Sequence, residues 1–455
     1  SDGNTSKISP RVITKTLSMS TIKLETFVPK AGVNKPKSRL GLIWDRWTKP
    51  AEEPPYRPLP EYHIRVVNIK PGSAEHPLRL KLEIVDPRKF KYIALSYTWD
   101  HDHVAQSDAS TGPDGATRMV PCGGTDVKIS QNLYDALCQV RDVQSGVPVF
   151  VDALCINFAN NQERVNYLEI MGHIYNRAAS VIVWLGKKEP HSDEVMLIMR
   201  KFVNAIDWRR MGDGSSYKFH DPRFFSNYGI EPLTLKQWRQ IRAFCHMRWF
   251  TRYWAFFELA SAKQALFLWG EACMEYNFLI DFGMILGLSG WLDELQQDPA
   301  DEADEPAVGL THMLGPVSRL KATPPWHPKH AEHAIWMRDN YRLETEEQRA
   351  WKFFEIMLQS AEAFECRDPR DKVYAPLAFA RHLYGGKPVN KQWPRPDYQR
   401  PADQVLRTFS NAIEQHTWQP SILATAYETQ PSQSQDMEIY EERGRSERRG
   451  RTPFG

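Results

Sequence analysis

The sequence predicts an α/β fold in which a mostly parallel β-sheet is flanked by helices. Short apolar runs, typical of buried strands, alternate with segments that have helical spacing. The clearest helix lies at about residues 160–178, where apolar side chains form one stripe and Asn160 and Glu163 form a capping arrangement. Strands that alternate with helices in this way are typical of a largely parallel sheet.

The predicted strands begin with a hairpin. Residues 62–70 and 78–86 alternate apolar with polar side chains, and a Pro-Gly-Ser turn separates them. Helical spacing predicts a helix over residues 131–143. The other predicted strands lie at residues 91–100, 126–130, 148–157, 180–186 and 265–270.

The second half of the chain has mainly helical spacing. Helices are predicted at residues 192–208, 233–247, 250–264, 345–365, 370–383 and 400–417. An acidic, Pro-containing stretch within residues 288–325 predicts an insertion or hinge. The predicted units are a partly irregular N-terminal arm at 1–55, an α/β domain at 56–287, a helical extension at 288–430 and a disordered tail at 431–455.

The composition excludes several classes of protein. With 58 basic and 56 acidic residues, the net charge of +2 argues against a protein built to bind a nucleic-acid backbone. No apolar run reaches about 18 residues, and the first residues lack the apolar core of a secretion signal. We therefore expect a cytoplasmic protein that does not bind membranes, with its six scattered cysteines as reduced thiols.

Several common catalytic motifs are absent from the sequence. There is no phosphate-binding glycine loop, which removes most support for dinucleotide redox enzymes and P-loop hydrolases. No metal site is predicted, because His101 and His103 are an isolated pair and Cys245 and His246 are adjacent in sequence. Cys155 is a conceivable nucleophile, but no partner histidine stands out, and a buried core thiol is the simpler interpretation.

Glu258 is the carboxylate that stands out, because it lies in the aromatic segment RWFTRYWAFFELASA. Trp254 lies four residues before Glu258, on the same face of the expected helix. The simpler interpretation is an ion pair with Arg252 or Arg248, or a side chain that faces solvent, and the spacing alone favours it. The functional interpretation is a cleft carboxylate that acts on a sugar-like centre, with Trp254 as a wall.

Six ordered segments resemble the fungal heterokaryon incompatibility (HET) domain family. In chain order they are PLPEYHIRVVNIKPG, YIALSYTWD, ISQNLYDAL, VFVDALCIN with QER, MGHIYNRAASVIVWLG and RWFTRYWAFFELA. The resemblance covers about residues 56–270 in pieces, and CRDPRDKVYAPLAFA and RPDYQRPADQV resemble the region that often follows this domain. The order of the six pieces, rather than any single one, makes the likeness specific.

HET domains are thought to resemble TIR domains, so the resemblance implies a TIR-like (flavodoxin-like) sheet. The segment Ala94–Tyr97 looks like the first TIR strand, and Trp254–Leu259 looks like the TIR Trp-x-x-x-Glu-Leu helix. In catalytic TIR domains that glutamate is essential for cleaving NAD⁺ at the nicotinamide–ribose bond. The resemblance therefore implies a catalytic Glu258 and a role in cell death after recognition of non-self, as in an innate immune response.

A single carboxylate suits this chemistry, because nicotinamide leaves as a neutral molecule while the ribose becomes an oxocarbenium-like cation. Ligands of open α/β sheets bind outside the carboxyl ends of the strands. The residues expected to bind the substrate are Ser96, Tyr97, Thr98, Trp99, Asp152, Asn157 and Trp254. The alternative interpretation of Tyr97 and Trp99 is that they are residues of the hydrophobic core. Asp152 equally suits a helix cap or a pairing with Arg164.

Three positions depart from the family pattern. Asp100 stands where the family usually has Gly, and Phe158 and Phe257 stand where it usually has Gln. The loss of two amides changes the polar contacts available to a ligand, so the departures bear on catalysis more than on the fold.

The favoured function is an NAD⁺ glycohydrolase that acts as a cell-death effector, with no cofactor besides its substrate NAD⁺. We also expect a homo-oligomer and a regulatory protein partner. The alternative is a non-catalytic TIR-like signalling module that acts by self-assembly, for which Phe158, Phe257 and the aromatic stretch at 244–257 would form an interaction surface. A third hypothesis is a cysteine hydrolase that uses Cys155 as its nucleophile.

Overall fold

The computed structural model describes most of the chain between residues 56 and 417. The described residues are 56–72, 76–99, 117–143, 146–211, 221–291, 309–322, 331–366, 368–383 and 393–417. The predicted arm, the predicted tail, Asp100, His101 and His103 lie outside them.

Nine strands form one mixed sheet within the described residues. Strands β1 to β9 are Ile64–Ile69, Leu80–Val85, Ile93–Tyr97, Thr117–Cys122, Thr125–Ser130, Val149–Phe150, Val181–Gly186, Ala265–Trp269 and Ala272–Glu275. Their order across the sheet is β5-β4-β2-β1-β6-β3-β7-β8-β9. Every residue of β3 and β8 is buried. This is expected for strands that are covered on both faces.

The predicted parallel pairing is found at the centre of the sheet and in the short contact of β2 with β4, and the sheet as a whole is mixed. Strands β6, β3, β7 and β8 run parallel to one another. The predicted hairpin of β1 and β2 is confirmed, and antiparallel pairing also joins β1 to β6, β4 to β5 and β8 to β9. Strands β4 and β9 were not predicted, although Gly123 and Gly124, with φ of 61° and 96°, form the two-residue turn that joins β4 to β5.

The parallel centre contains a reversal of strand order. Of the parallel strands, β3 comes first in the chain. The next parallel strand, β6, lies on one side of β3, and the one after it, β7, lies on the other side. The four parallel strands therefore lie in the order 2-1-3-4, counted along the chain. Such a reversal leaves a crevice outside the carboxyl ends of the strands, which is where open α/β sheets bind ligands.

Thirteen α-helices lie within the described residues. Helices α1 to α13 are Gln131–Val143, Asp152–Cys155, Asn161–Arg177, Ser192–Ala205, Pro222–Asn227, Leu235–Cys245, Tyr253–Ser261, Tyr276–Ser289, Leu310–Ala322, Ala331–Tyr341, Glu346–Ala361, Asp371–Leu383 and Ala402–Thr417. The predicted cap of α3 is confirmed in part. The Asn160 side chain accepts from the backbone N–H groups of Gln162 and Glu163, whereas the Glu163 carboxylate pairs with Arg65 at 2.5 Å.

Two predicted segments differ from the structure. Residues 148–157 were predicted as one buried strand, but β6 ends at Phe150 and the chain turns directly into α2. The backbone N–H groups of Leu154 and Cys155 bond back to the Val151 carbonyl, which closes that turn. The insertion or hinge predicted at 288–325 contains α9, which has apolar side chains buried at helical spacing.

The helical extension and the α/β domain share one hydrophobic core. The ring of Phe257 in α7 lies 5.7 Å from that of Phe379 in α12. Gly172 of α3 lies so close to α12 that an added Cβ would come within 2.6 Å of the His382 Cβ. No helix in the described part of the chain is both long enough and apolar enough to cross a bilayer.

Candidate functional site

A cavity of about 1130 Å³ opens beyond the carboxyl ends of β3 and β6. Its volume lies slightly above the usual range of small-molecule pockets, roughly 300–1,000 Å³. Its lining includes two sets of residues that come from different parts of the chain. The sheet wall consists of Trp99, Asp152, Phe158, Arg252, Trp254 and Glu258. The extension wall consists of Glu365, Asp368, Arg370, Asp371 and Tyr398.

Glu258 lies at the inner end of the sheet wall, with 4% of its surface exposed. Its Oε2 accepts a hydrogen bond from the Ser96 hydroxyl near the end of β3. The Ser96 Oγ in turn accepts from the indole N–H of Trp249 at 2.8 Å. Because an indole N–H can only donate, it leaves the hydroxyl hydrogen of Ser96 free to point at the carboxylate. The chain from Trp249 through Ser96 therefore orients Glu258.

Burial raises the pKa of Glu258 to about 7, and the negative charge of Asp152 adds to the rise. Arg252 and the Ser96 hydroxyl oppose it. Glu258 forms no ion pair with another described residue, and its burial excludes a solvent-facing position. The simpler interpretation of this residue is therefore not what the structure shows. A carboxyl with a pKa near 7 changes its charge within the physiological range.

Asp152 is the second buried carboxylate of the sheet wall. It follows β6 and accepts from the backbone N–H of Ala153 at 2.7 Å. Burial raises the pKa of Asp152, and the positive charge of Arg252 counteracts part of that rise. Arg252 donates to the Tyr97 carbonyl at the end of β3. This arginine is thereby anchored where it acts on both carboxylates.

The extension wall was not anticipated as part of the site. The indole N–H of Trp254 donates to Asp371 Oδ2 at 2.9 Å, and the hydroxyl of Tyr398 donates to Asp371 Oδ1 at 2.5 Å. The guanidinium of Arg164 lies 3.4 Å from the centroid of the Tyr398 ring, and the cation that acts on Asp152 is Arg252. The charged segment CRDPRDK, noted in the sequence only for its family resemblance, was the available signal.

The extension also forms hydrogen bonds with the first residues of α7, the helix that carries Glu258. The backbone N–H of Tyr253 donates to the Glu365 carbonyl at 2.9 Å, and the backbone N–H of Glu365 donates to the Thr251 carbonyl at 2.8 Å. The Tyr253 hydroxyl donates to the Lys372 carbonyl at 2.6 Å. The first turn of α7 is therefore bonded to the extension by backbone as well as by side chains.

The structure brings four of the predicted site residues together. Trp99, Asp152, Trp254 and Glu258 all line the cavity, and the helical spacing of Trp254 and Glu258 places both on its surface as expected. Ser96 does not line the cavity and acts on it only through its hydrogen bond to Glu258.

The other three predicted residues lie away from the cavity. The Tyr97 side chain is buried in the core. The Thr98 carbonyl accepts from the Asn132 side chain at 2.8 Å. The backbone N–H of Asn157 donates to the Glu163 carboxylate at 2.7 Å, so its described contacts are those of a loop.

The two described departures from the family pattern have different surroundings. Phe158 is 41% exposed, lines the cavity and meets the Trp99 ring edge-on at 5.6 Å. Phe257 is fully buried against the extension. Most aromatic rings between residues 244 and 257 are likewise core residues, so the expectation that Phe257 and this stretch form an interaction surface is wrong.

Cys155 has the environment of a structural thiol. It is buried, its sulfur accepts from the Val151 backbone N–H at 3.3 Å, and burial raises the pKa of the thiol. A thiol held in its protonated form is a poor nucleophile. Among the described residues, no group of three or more His, Cys, Asp or Glu side chains is arranged to hold a metal ion.

Comparison with known proteins gives a consistent picture. Residues 92–258 match the family model described as heterokaryon incompatibility protein (HET). The chain is 22% identical over 387 residues to "Heterokaryon incompatibility protein 6, OR allele" of Neurospora crassa, an alignment that covers 79% of this chain and 53% of that relative. The chain thus spans about half the length of the curated relative that it matches. No solved structure matches the chain.

The family match and the cavity coincide in part. The matched residues begin just before β3 and end at Glu258, so they include the sheet wall but not the extension wall. The ordered segments of the sequence, the family match and the similarity to the Neurospora protein all agree. The chain therefore contains a segment, residues 92–258, that matches the HET family.

Proposed function

We propose that this protein is an NAD⁺ glycohydrolase and that Glu258 is its catalytic residue. The observation that carries the proposal is the placement of Glu258: a buried, hydrogen-bonded carboxylate at the end of a central parallel strand, facing a large cavity. The central strand order 2-1-3-4 is the order of the first four strands of a flavodoxin-like sheet, which supports the proposed likeness to TIR domains.

The chemistry requires little beyond one oriented carboxylate. NAD⁺ and water give nicotinamide, ADP-ribose and a proton. As the bond between the ribose and nicotinamide breaks, its electron pair leaves with nicotinamide, which becomes neutral, and positive charge develops on the sugar. The ionised Glu258 stabilises that charge in a site of low dielectric, where an oriented carboxylate is most effective.

The remaining sheet-wall residues have supporting roles in this proposal. The Trp254 indole forms a flat wall one helical turn from Glu258 and packs against the nicotinamide ribose. Arg252, which acts on both carboxylates, helps to keep Glu258 ionised. Asp152 is a second carboxyl group on the same side of the cavity.

In the cell, we propose that this activity serves heterokaryon incompatibility, the process named for the Neurospora relative. Depletion of NAD⁺ would then be the cause of cell death. The protein acts in the cytoplasm as a homo-oligomer with a regulatory protein partner, since a destructive activity of this kind requires control.

The test is nicotinamide release from NAD⁺ by the purified protein at several protein concentrations. We expect Glu258→Ala and Glu258→Gln to reduce release by at least about a hundredfold, as expected for loss of an electrostatic catalyst. Glu271→Gln is the matched control, because Glu271 is an exposed glutamate outside the cavity. A rise in specific activity with concentration would support the oligomer. Equal turnover by wild type and Glu258→Gln would remove Glu258 from the mechanism.

A cell-death assay separates this function from the non-catalytic alternative. Expression of the wild type should be toxic, and Glu258→Gln should abolish the toxicity while leaving the protein folded. If Glu258→Ala and Glu258→Gln both kept full toxicity, assembly rather than NAD⁺ cleavage would be the activity of the protein.

A further inference from the structure

One carboxylate connects the two walls of the cavity. Asp371 begins α12 in the helical extension and is 8% exposed. Its two oxygens take different donors, Trp254 from the sheet wall and Tyr398 from the extension wall. Because each carboxylate oxygen accepts one bond, a single side chain fixes the positions of two aromatic rings that line the cavity.

These bonds suit an ionised Asp371. Both of its neighbours are donors, and a carboxylate is an acceptor only. Burial raises the pKa of Asp371, while the two donors and the positive charge of Arg164 counteract that rise. Hydrogen bonds to a charged acceptor are stronger than neutral ones, so the pair of bonds is a firm attachment for both rings.

The wall behind Asp371 is itself held in place. Arg370 pairs with Asp368 through two bonds of 2.7 and 2.8 Å and also donates to the carbonyls of Tyr398 and Arg400, at 2.5 and 3.0 Å. These bonds tie the segment before α12 to the segment before α13. Asp371 therefore projects from a rigid support rather than from a free loop.

We propose that Asp371 is a positioning residue of the site, which holds the Trp254 indole in place and so makes the helical extension one wall of the ligand-binding cavity. This inference rests on the proposed function for the identity of the ligand, NAD⁺, but not for the geometry. Trp254 is only half-buried, so without its acceptor the indole is free to leave the orientation that places it beside Glu258. The extension is thereby part of the site, although the family match ends before it.

The test compares Asp371→Ala and Asp371→Asn with the wild type. Asparagine keeps one carbonyl oxygen as an acceptor for one of the two donors, whereas alanine keeps none. We expect Asp371→Ala to raise the KM for NAD⁺ about tenfold, with kcat changed less than about threefold, which corresponds to the loss of hydrogen bonds to a charged group. Asp371→Asn should restore part of the loss. Asp403→Asn, an extension carboxylate outside the cavity, should behave as wild type.

A second readout does not depend on turnover. In protein that contains 5-fluorotryptophan, the fluorine resonance absent from the Trp254→Phe spectrum identifies Trp254. We expect this resonance to shift and broaden in Asp371→Ala, and to keep its wild-type position in Asp403→Asn. An unchanged Trp254 resonance in Asp371→Ala would overturn the inference. So would a fall in kcat as large as the rise in KM, with no rescue by asparagine. A wild type without NAD⁺ cleavage would refute the proposed function instead, since the resonance still reports on Trp254.

Discussion

The two walls of the cavity carry buried carboxylates in opposite situations. On the sheet wall, Glu258 accepts a side-chain hydrogen bond from Ser96, and the Tyr175 hydroxyl and the like charge of Asp152 also act on it. On the extension wall, Asp371 receives two, from Trp254 and Tyr398. A carboxylate whose two oxygens are both bonded to protein donors is structural, whereas one with an oxygen still open to a cavity is available to a ligand. The comparison separates the group that reacts from the group that holds the site together.

Removal of the Glu258 charge should change the stability of the protein in a way that depends on pH. Its pKa in the folded protein is about 7, against 4.5 for an unperturbed glutamate. Between these values the folded state binds more protons than the unfolded state, so stability falls as pH rises through this window. Glu258→Gln avoids the loss. We expect it to be about 3 kcal/mol more stable than wild type at pH 8, and nearly equal to it at pH 4.5.

Chemical denaturation at the two pH values measures this difference. Asp371→Asn is the contrasting variant, because it removes a satisfied acceptor, and it should be less stable than wild type at pH 8. If Glu258→Gln were destabilising at pH 8, Glu258 would be a structural carboxylate like Asp371, and the distinction between the two walls would fail.

A smaller change in stability is expected at Gly172, where the α/β domain contacts His382 of the extension. In Gly172→Ala the new Cβ would meet the Cβ and Cγ of His382 at 2.6 and 2.9 Å, and both lie on packed helices. We expect the variant to lose about 1 to 2 kcal/mol of unfolding free energy, because overpacking outweighs the gain in helix propensity.

Gly287→Ala is the matched control for Gly172→Ala. Gly287 also lies in a helix, but an added Cβ would meet nothing within 4 Å. It should be neutral or slightly stabilising. Equal changes in unfolding free energy for the two substitutions, in thermal or denaturant unfolding, would mean that the extension is not tightly packed against α3.

The sheet wall was largely predictable from the sequence, because its signals are local. Trp254 and Glu258 are one helical turn apart, and Trp99 and Asp152 lie within the segments 91–100 and 148–157 that were predicted as strands. The apolar runs around β3, β7 and β8 likewise predicted the parallel centre of the sheet. Local spacing is sufficient wherever one strand or one helix positions the side chain.

The extension wall was not predictable in the same way. The bond between Trp254 and Asp371 joins residues far apart in the chain, and periodicity reports only on neighbours. Ser96 shows the same limit, since its role depends on Trp249 and Glu258 from another part of the chain. Of the antiparallel flanks, the hairpin of β1 and β2 was predicted, whereas β4 and β9 were not, because the fit of a short strand at a sheet edge depends on its tertiary neighbours.

The pH dependence of kcat/KM for nicotinamide release from NAD⁺ tests whether Glu258 is the catalytic carboxylate. Stabilisation of the ribosyl cation requires ionised Glu258, whose pKa in the free protein is about 7. We therefore expect kcat/KM to rise about tenfold per pH unit below pH 6 and to level off above pH 8. The residual activity of Glu258→Gln should lack this rise. A wild-type profile that is flat from pH 5 to 9, or that falls as pH rises, would contradict the assignment of Glu258 as the catalytic carboxylate.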